Sequence, residues 1–244
     1  MIRLHMLSGP RNISTTMMRS FENRPDTAVV DEPFYASWLA RSGVDHPYRK
    51  ETLAAQPNDP AGVVDWLQDS PARFGKPDAA ILFCKHIAYH IEDPSAFDFL
   101  IEGRCFLLIR DPRRMVASFA QKFEDVEPIV QSFGVERRLY NDLEERGRPC
   151  PVVDAADVVA DPDAMLRALC AALDIPYTEK MLAWPSGPRE SDGVWGPHWY
   201  DAVKASTGFN KPVEKPVELS PRLAAIAERC REDYAFLQTR RLKA

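Results

Sequence analysis

The chain has 244 residues, a net charge of −5 at pH 7 and a hydrophobic content of 45%. These values are typical of a globular protein, and we expect residues 1–244 to form a single domain. The acidic balance argues against nucleic acid as a partner, so any basic site must be local. No apolar run approaches the roughly 20 residues that a membrane-spanning helix requires.

The cysteines and the first residues indicate a compartment. The five cysteines are scattered without a Cys-x-x-Cys spacing, which predicts buried, reduced thiols. A predicted core strand begins already at Ile2, so the sequence predicts no signal peptide. We therefore expect a cytoplasmic protein.

Short apolar runs alternate with segments of helical periodicity, a pattern typical of βαβ units and a mainly parallel sheet. The predicted strands lie near Arg3–Leu7, Ala28–Asp31, Ala79–Cys84, Cys105–Ile109 and Pro151–Val153. The predicted helices lie at about Ser14–Asn23, Gly62–Phe74, Pro94–Leu100, Pro112–Phe123, Glu127–Arg146 and Pro162–Leu173, with a C-terminal helix at 221–238. The expected fold class is therefore α/β.

Two proline-rich stretches, residues 41–61 and 183–221, lack this periodicity. The second stretch also carries Trp184, Trp195, Trp199 and Tyr200. A long aromatic loop of this kind either closes over a substrate as a lid or wraps the surface with its tryptophans packed on the core. Both interpretations are open, and the first predicts an acceptor pocket under residues 183–210.

The first predicted strand runs into a loop that is suited to an anion, Ser8-Gly9-Pro10-Arg11-Asn12-Ile13-Ser14-Thr15-Thr16. A helix begins in this loop, and the backbone N–H groups of a helix N-terminus bind phosphate-like groups readily. Arg11 adds positive charge, while Ser14, Thr15 and Thr16 add hydroxyl donors. The Gly-Lys-[Ser/Thr] sequence of a Walker A loop is missing. The sequence therefore predicts a doubly charged anion held by arginine rather than by lysine and Mg²⁺.

Charged residues follow three further predicted strands where each strand ends. The clusters are Asp31-Glu32-Pro33, Lys85-His86 and Arg110-Asp111-Pro112. Because ligands of parallel sheets bind outside the carboxyl ends of the strands, we expect these clusters and the opening loop to form one site. Pro33 disfavours helical backbone in the residue before it, so Glu32 is expected to be extended.

Two histidines, His86 and His90, lie four residues apart, the spacing of a pair of metal ligands on a helix. The glutamate of the HExxH motif is absent and no third ligand is evident, so we expect no metal site. Tyr89 and His90 are instead candidates to line an acceptor pocket.

In their order along the chain, these motifs resemble those of the sulfotransferase family. The segment from Arg110 to Ser118, an arginine at a strand end with a serine eight residues later, resembles the 3′-phosphate-binding segment of that family. The segment from Pro10 to Thr15 resembles its 5′-phosphosulfate loop. Lys85-His86 stands close to where cytosolic members carry Lys-Thr-His. The resemblance covers about residues 2–182 and implies a three-layer α/β/α, P-loop NTPase-like fold.

The resemblance implies that the donor is 3′-phosphoadenosine-5′-phosphosulfate (PAPS) and that the acceptor is a hydroxyl or amine of a small molecule. The residues implied for the 5′-phosphosulfate are Arg11, Asn12, Ser14, Thr15 and Thr16. The residues implied for the 3′-phosphate are Arg110 and Ser118. By analogy with loose phosphoryl transfer, catalysis would consist of positioning and charge neutralisation, with Arg11 and the loop N–H groups in place of a metal.

An acceptor hydroxyl needs a general base, and two residues are candidates. Placement in the cytosolic pattern favours His86, beside Lys85. The residue that is missing between them shifts His86 by one position, which can turn it to the other face of its strand. Resemblance to the Gly-Glu-Pro run of bacterial trehalose-type sulfotransferases favours Glu32, which we slightly prefer. Arg11, Glu32, Lys85 and His86 are thus the candidate catalytic residues.

Ile13 occupies a position where the family usually carries glycine. If that position requires a positive φ, a β-branched residue there is costly. Two other functions therefore stay open, namely a small-molecule kinase with a degenerate P-loop and a non-catalytic relative that binds a nucleotide or anion. The sequence predicts no oligomeric state.

Overall fold

The computed structural model describes residues 1–68, 74–91, 94–210 and 216–244. Within these ranges, one sheet contains five strands: Ile2–Ser8 (β1), Thr27–Asp31 (β2), Ile81–Ile87 (β3), Arg104–Ile109 (β4) and Val152–Asp154 (β5). Their spatial order is β2-β3-β1-β4-β5 and all four pairings are parallel. The prediction of an α/β fold with a parallel sheet is confirmed.

The helices fall between and after these strands. They span Ser14–Glu22 (α1), Tyr35–Ser42 (α2), Arg49–Ala55 (α3), Pro60–Gln68 (α4), Pro94–Glu102 (α5), Pro112–Phe119 (α6), Glu127–Glu145 (α7), Ala155–Ala160 (α8), Pro162–Ala172 (α9), Gly196–Trp199 (α10), Asp201–Lys204 (α11), Pro221–Arg229 (α12) and Arg231–Gln238 (α13). Short 3₁₀ turns cover Ala88–His90 and Glu179–Leu182.

Both faces of the sheet are covered, which gives the expected three layers. Along β4, Phe106 and Leu108 point into one apolar cluster with α1 and α9, whereas Leu107 and Ile109 point into a second cluster with α5 and α7. All four side chains are at most 1% exposed. Burial on both faces explains why the strands are continuous apolar runs in the sequence.

Several predicted boundaries were wrong. The helix predicted at Gly62–Phe74 begins at Pro60, where proline fits a first helical turn, and residues 69–73 lie outside the described part of the chain. The helix predicted to end at Phe123 ends at Phe119, and a turn follows it. The C-terminal helix is interrupted at Cys230, which separates α12 from α13.

The two aperiodic stretches contain more regular structure than we expected. Helix α3 and the start of α4 lie within residues 41–61, and α10 and α11 lie within 183–221. These helices have four to nine residues, and their short turns leave little periodic signal in the sequence. No helix in the described ranges combines the length and apolar character of a membrane span.

Helix α6 begins as the sequence predicts. The Asp111 carboxylate accepts a hydrogen bond from the Arg114 backbone N–H (3.0 Å), and Pro112 takes the first helical position. This cap fixes the path of the chain directly after Arg110, at the carboxyl end of β4. The arginine is thereby held beside the end of β1.

Candidate functional site

A cavity of about 390 Å³ lies at the carboxyl ends of β1 to β4. The predicted site residues that line it are Arg11, Asn12, Ser14, Thr15, Thr16, Glu32, Lys85, Arg110 and Ser118. His86 does not line it. The structure thus brings the opening loop and the three strand-end clusters to one cavity, with one residue of the predicted set turned away.

Asn12 ties the opening loop to the sheet. Its side-chain Nδ2 donates to the Leu108 carbonyl (2.7 Å), while its Oδ1 accepts from the Ile13 backbone N–H (2.9 Å). The left-handed residue of the loop is Arg11, with φ 58°, whereas Ile13 has φ −86°. A β-branched residue at position 13 is therefore not strained, and the backbone cost falls on Arg11 instead.

The first turn of α1 faces the cavity. Helix α1 has no side-chain N-cap and no acidic residue in its first turn. Its N-terminal N–H groups and partial positive charge are available to an anion. Gly9 holds the loop close to α6, because a Cβ atom there would lie 2.3 Å from the Met115 Cε.

Two arginines converge beside this helix end. The Arg11 Nε donates to the Ser118 Oγ (3.0 Å), and the Arg110 guanidinium donates to the Arg11 carbonyl oxygen. Neither guanidinium pairs with a carboxylate in the described part of the chain. Burial lowers the pKa of both groups, and the charges of Arg114 and Arg11 lower that of Arg110 further. The charges of Asp111 and Asp154 offset part of this effect at Arg110, but neither carboxylate binds its guanidinium directly. Two crowded, half-buried cations of this kind favour a bound anion.

The other end of the cavity holds a buried ion pair. The Lys85 Nζ donates to the Glu32 Oε1 (2.6 Å), the Asp31 Oδ1 (2.8 Å) and the Tyr200 hydroxyl (2.9 Å). Tyr200 in turn donates to the Asp31 Oδ2 (2.7 Å). Two carboxylates share one ammonium, which raises the pKa of Lys85 well above its usual value despite burial.

Glu32 is not extended as the following Pro33 predicted, since its φ is 42°. Backbone hydrogen bonds impose the turn, because the Glu32 N–H donates to the Lys85 carbonyl (2.9 Å) and the Glu32 carbonyl accepts from the Tyr35 N–H (3.0 Å). This strained backbone presents the carboxylate to the cavity. Burial raises the pKa of Glu32, although the nearby Lys85 charge opposes that shift. A carboxylate with a raised pKa is a stronger base than an exposed one.

His86 points to the opposite face of β3 from Lys85, as adjacent residues of a strand do. Its Nε2 lies 3.0 Å from the His5 Nδ1, and its ring packs beside Phe34 in the core. The imidazole is 1% exposed, and burial holds its pKa well below the usual value. The structure therefore places His86 outside the cavity, where it has no access to an acceptor, because the register is shifted by one residue.

One cluster of three potential metal ligands occurs among the described residues, although the sequence predicted no metal site. His5, Cys84 and His86 are buried, and one ligand atom from each lies within 4.8 Å of the others. The two imidazoles hydrogen-bond to each other, and burial raises the pKa of the Cys84 thiol. A metal ion would have to replace that hydrogen bond, and the cluster lies across the sheet from the cavity.

Aromatic residues form much of the cavity wall. They are Tyr35, Tyr89, Phe119, Phe123, Trp195, Trp199, Tyr200 and Phe209. Trp195 is 2% exposed and its Nε1 donates to the Tyr200 hydroxyl (3.0 Å), while the Gly193 N–H donates to the Asp31 Oδ2 (3.1 Å). The 183–221 stretch therefore both packs tryptophan on the core and contributes walls to the cavity.

The sequence did not reveal the partners of Lys85. Asp31 was recognised only as part of a strand-end cluster, and Tyr200 only as one aromatic residue of a long loop. Tyr200 stands 115 residues from Lys85, and no spacing rule links two such positions. The sequence offered one indication that Tyr200 belongs to the site, namely its position four residues after Gly196 in an aromatic, glycine-containing loop.

A family model described as a sulfotransferase domain matches residues 2–226. Two Arabidopsis thaliana proteins are similar, each named a branched-chain-amino-acid aminotransferase-like protein. Protein 2 is 36% identical over 235 residues (96% of this chain and 41% of that protein), and protein 1 is 38% identical over 213 residues (87% and 37%). The chain thus spans about two fifths of the length of these relatives.

Solved structures support the same fold. The sulfotransferase domain from the curacin biosynthetic pathway matches with a TM-score of 0.55 at 15% identity, covering 93% of this chain and 96% of that one. The sulfotransferase domain of the Synechococcus PCC 7002 olefin synthase gives 0.52 at 16% identity, with 93% and 94% covered. A sulfotransferase from Alicyclobacillus acidocaldarius gives 0.52 at 12% identity, with 98% and 95% covered.

Proposed function

The chain belongs to the sulfotransferase domain family, and we propose that it transfers a sulfuryl group from PAPS to a hydroxyl or amine of a small-molecule acceptor. One observation carries this proposal. One end of a single cavity has a helix N-terminus and two arginines that pair with no carboxylate among the described residues, and the other end has a buried glutamate with a raised pKa. Donor anion and acceptor nucleophile would thus meet between them.

The arginine end suits a donor with two separate anionic groups. Arg110 and Ser118 would bind the 3′-phosphate, since a planar guanidinium matches phosphate oxygens in a bidentate way. Arg11 would neutralise the 5′-phosphosulfate together with the N–H groups at the start of α1. Because Arg11 also donates to Ser118, its side chain would link the two subsites.

Glu32 is the base in this proposal. The acceptor oxygen would form a bond to sulfur while the bond between sulfur and the 5′-phosphate oxygen breaks, with its electron pair staying on the phosphate. The acceptor proton would pass to the Glu32 carboxylate. Lys85 would hold that carboxylate in place through its 2.6 Å hydrogen bond. Arg11 would neutralise the negative charge that develops on the leaving phosphate.

Adenosine 3′,5′-bisphosphate, the product of such a transfer, tests the donor. We expect calorimetry to show that it binds the protein and raises its Tm, and that ATP with Mg²⁺ does not. Arg110→Ala should abolish this stabilisation, because it removes a fixed cation from the 3′-phosphate subsite. Arg113→Ala is the matched control, since Arg113 lies three residues further along the chain, in the first turn of α6, and is exposed.

Each alternative function predicts a different result. Stabilisation by ATP with Mg²⁺ rather than by the bisphosphate would favour the small-molecule kinase. Binding of the bisphosphate without any sulfuryl transfer would favour the non-catalytic relative. Absence of bisphosphate binding at high micromolar concentration would overturn the proposal.

A further inference from the structure

His90 carries two ring nitrogens that nothing in the described part of the chain binds. It ends the short turn after β3, lines the cavity and is 2% exposed. Neither its Nδ1 nor its Nε2 has a hydrogen-bond partner there. A buried polar group without a partner costs free energy, so this imidazole is suited to a ligand.

Aromatic rings fix the orientation of the imidazole. Tyr35 stacks on it with centroids 4.7 Å apart and 9° between the planes, Trp38 lies 5.0 Å away, and Tyr89 meets it edge-on at 4.5 Å. Its Nδ1 lies 3.9 Å from the Glu32 Oε2, too far for a hydrogen bond between them. Because 3.9 Å is shorter than two hydrogen-bond lengths, one oxygen atom placed beside both groups can bond to each of them.

Building on the proposed function, we propose that His90 binds the nucleophilic hydroxyl of the acceptor beside Glu32. A neutral imidazole offers one donor and one acceptor, and burial keeps the pKa of His90 well below its usual value. The hydroxyl proton points to Glu32 and is transferred there. One oxygen lone pair attacks sulfur, while the other accepts the N–H of His90. This second contact fixes the direction of attack.

The end of the cavity that holds Glu32 and His90 also determines which acceptor molecules fit. Its walls are aromatic. Three cations line the cavity among the described residues, and since Arg11 and Arg110 lie at the other end, Lys85 is the cation at this end. That ammonium already donates to three oxygens. An ionised carboxylate on the acceptor would lose its water without gaining a partner, which is costly. The acceptor is therefore an alcohol with an uncharged, apolar, ring-bearing body.

Calorimetry on protein saturated with adenosine 3′,5′-bisphosphate tests the acceptor class. The probes are naphthalene-2-methanol and 6-(hydroxymethyl)naphthalene-2-carboxylate, which differ only in the charged group. We expect the neutral alcohol to bind about tenfold more tightly or better, since the desolvated carboxylate stays unpaired. Equal binding of both probes, or binding of neither at millimolar concentration, would overturn the inference.

Substitutions test the imidazole itself. His90→Phe keeps the ring and its stacking but removes both nitrogens, so we expect about tenfold weaker binding of naphthalene-2-methanol. His90→Asn places an amide near the former Nδ1 and should recover most of this loss. The affinity for adenosine 3′,5′-bisphosphate should be unchanged in both variants, which separates this result from failure of the proposed function. Unchanged alcohol binding in His90→Phe would give the residue a purely structural role.

Discussion

The two ends of the cavity hold charge in opposite ways. At the anion end, Arg11 and Arg110 are half-buried cations without carboxylate partners in the described ranges. At the base end, Lys85 is 1% exposed and already neutralised by Asp31 and Glu32. The first end would gain a directly bound counter-charge only from an anionic ligand, whereas the second already holds two carboxylates for its one ammonium.

This difference predicts which property each substitution changes. Removing a cation at the anion end relieves repulsion in the free protein and weakens ligand binding. Removing a charge at the base end takes one partner away from a buried ion, which destabilises the protein and alters the acid–base chemistry. Each prediction below tests this division, beginning with the largest expected effect.

Glu32→Gln should lower kcat by about 10²–10⁴-fold, the usual contribution of a general base. The amide keeps the shape of the side chain but cannot take the acceptor proton. The measurement is transfer of labelled sulfate from PAPS to naphthalene-2-methanol, alongside calorimetry with adenosine 3′,5′-bisphosphate. The affinity for the bisphosphate should stay unchanged.

His86→Gln is the matched control. His86 is next to Lys85 on β3 but points to the opposite face of the sheet and does not line the cavity. Its kcat should stay within about threefold of the unmodified protein, since no reacting group is removed. If His86→Gln lost activity while Glu32→Gln kept it, the base would have to be reassigned.

Arg11→Gln should weaken binding of adenosine 3′,5′-bisphosphate by about 10–100-fold, because it deletes hydrogen bonds from a charged donor to phosphate. The free protein should keep its Tm within a few degrees, since no carboxylate that the structure describes pairs with Arg11 and would be left without it. Calorimetry and thermal unfolding give the two numbers. A large loss of Tm with unchanged affinity would contradict this prediction, because Arg11 would then contribute to stability and not to ligand binding.

The two ends also differ in how far the sequence predicts them. The loop and the Arg110 segment are contiguous motifs, and parallel strands place their ends together, so the sequence could predict that their residues lie at one end of the cavity. The base end depends on contacts between Lys85 and Tyr200, far apart in the chain, and on the left-handed turn at Glu32. Local propensity, which favours extended backbone before Pro33, gives no sign of that turn.

Tyr200→Phe should move the acid limb of the pH–rate profile to higher pH. Glu32 must be ionised to act as base, and burial raises its pKa, so activity rises as pH passes through that raised value. The Lys85 charge and, after it, the Tyr200 hydroxyl lower the pKa of Glu32, so without Tyr200 the carboxyl would stay protonated to higher pH. The measurement is kcat/KM against pH.

Tyr140→Phe is the control for this shift, because the Tyr140 hydroxyl bonds to Glu144 on α7, away from the cavity. Its profile should match that of the unmodified protein. The free energy of unfolding changes with pH in the opposite direction to activity, because the pKa of Glu32 is raised in the folded state. The contribution of Glu32 to stability is full below its pKa in the unfolded chain. That contribution is lost as pH rises through the folded value.

The smallest effects concern the strain in the opening loop. Arg11→Gly should raise the free energy of unfolding of the ligand-free protein by about 0.5–1 kcal/mol, because glycine adopts its φ of 58° without strain. Ile13→Gly should lower that free energy by about 1 kcal/mol or more, because Ile13 has an ordinary φ and packs on the core. Urea unfolding measures both. Opposite signs are the decisive outcome, since stabilisation by Ile13→Gly would mean that the left-handed residue of the loop is at position 13, where the family usually carries glycine.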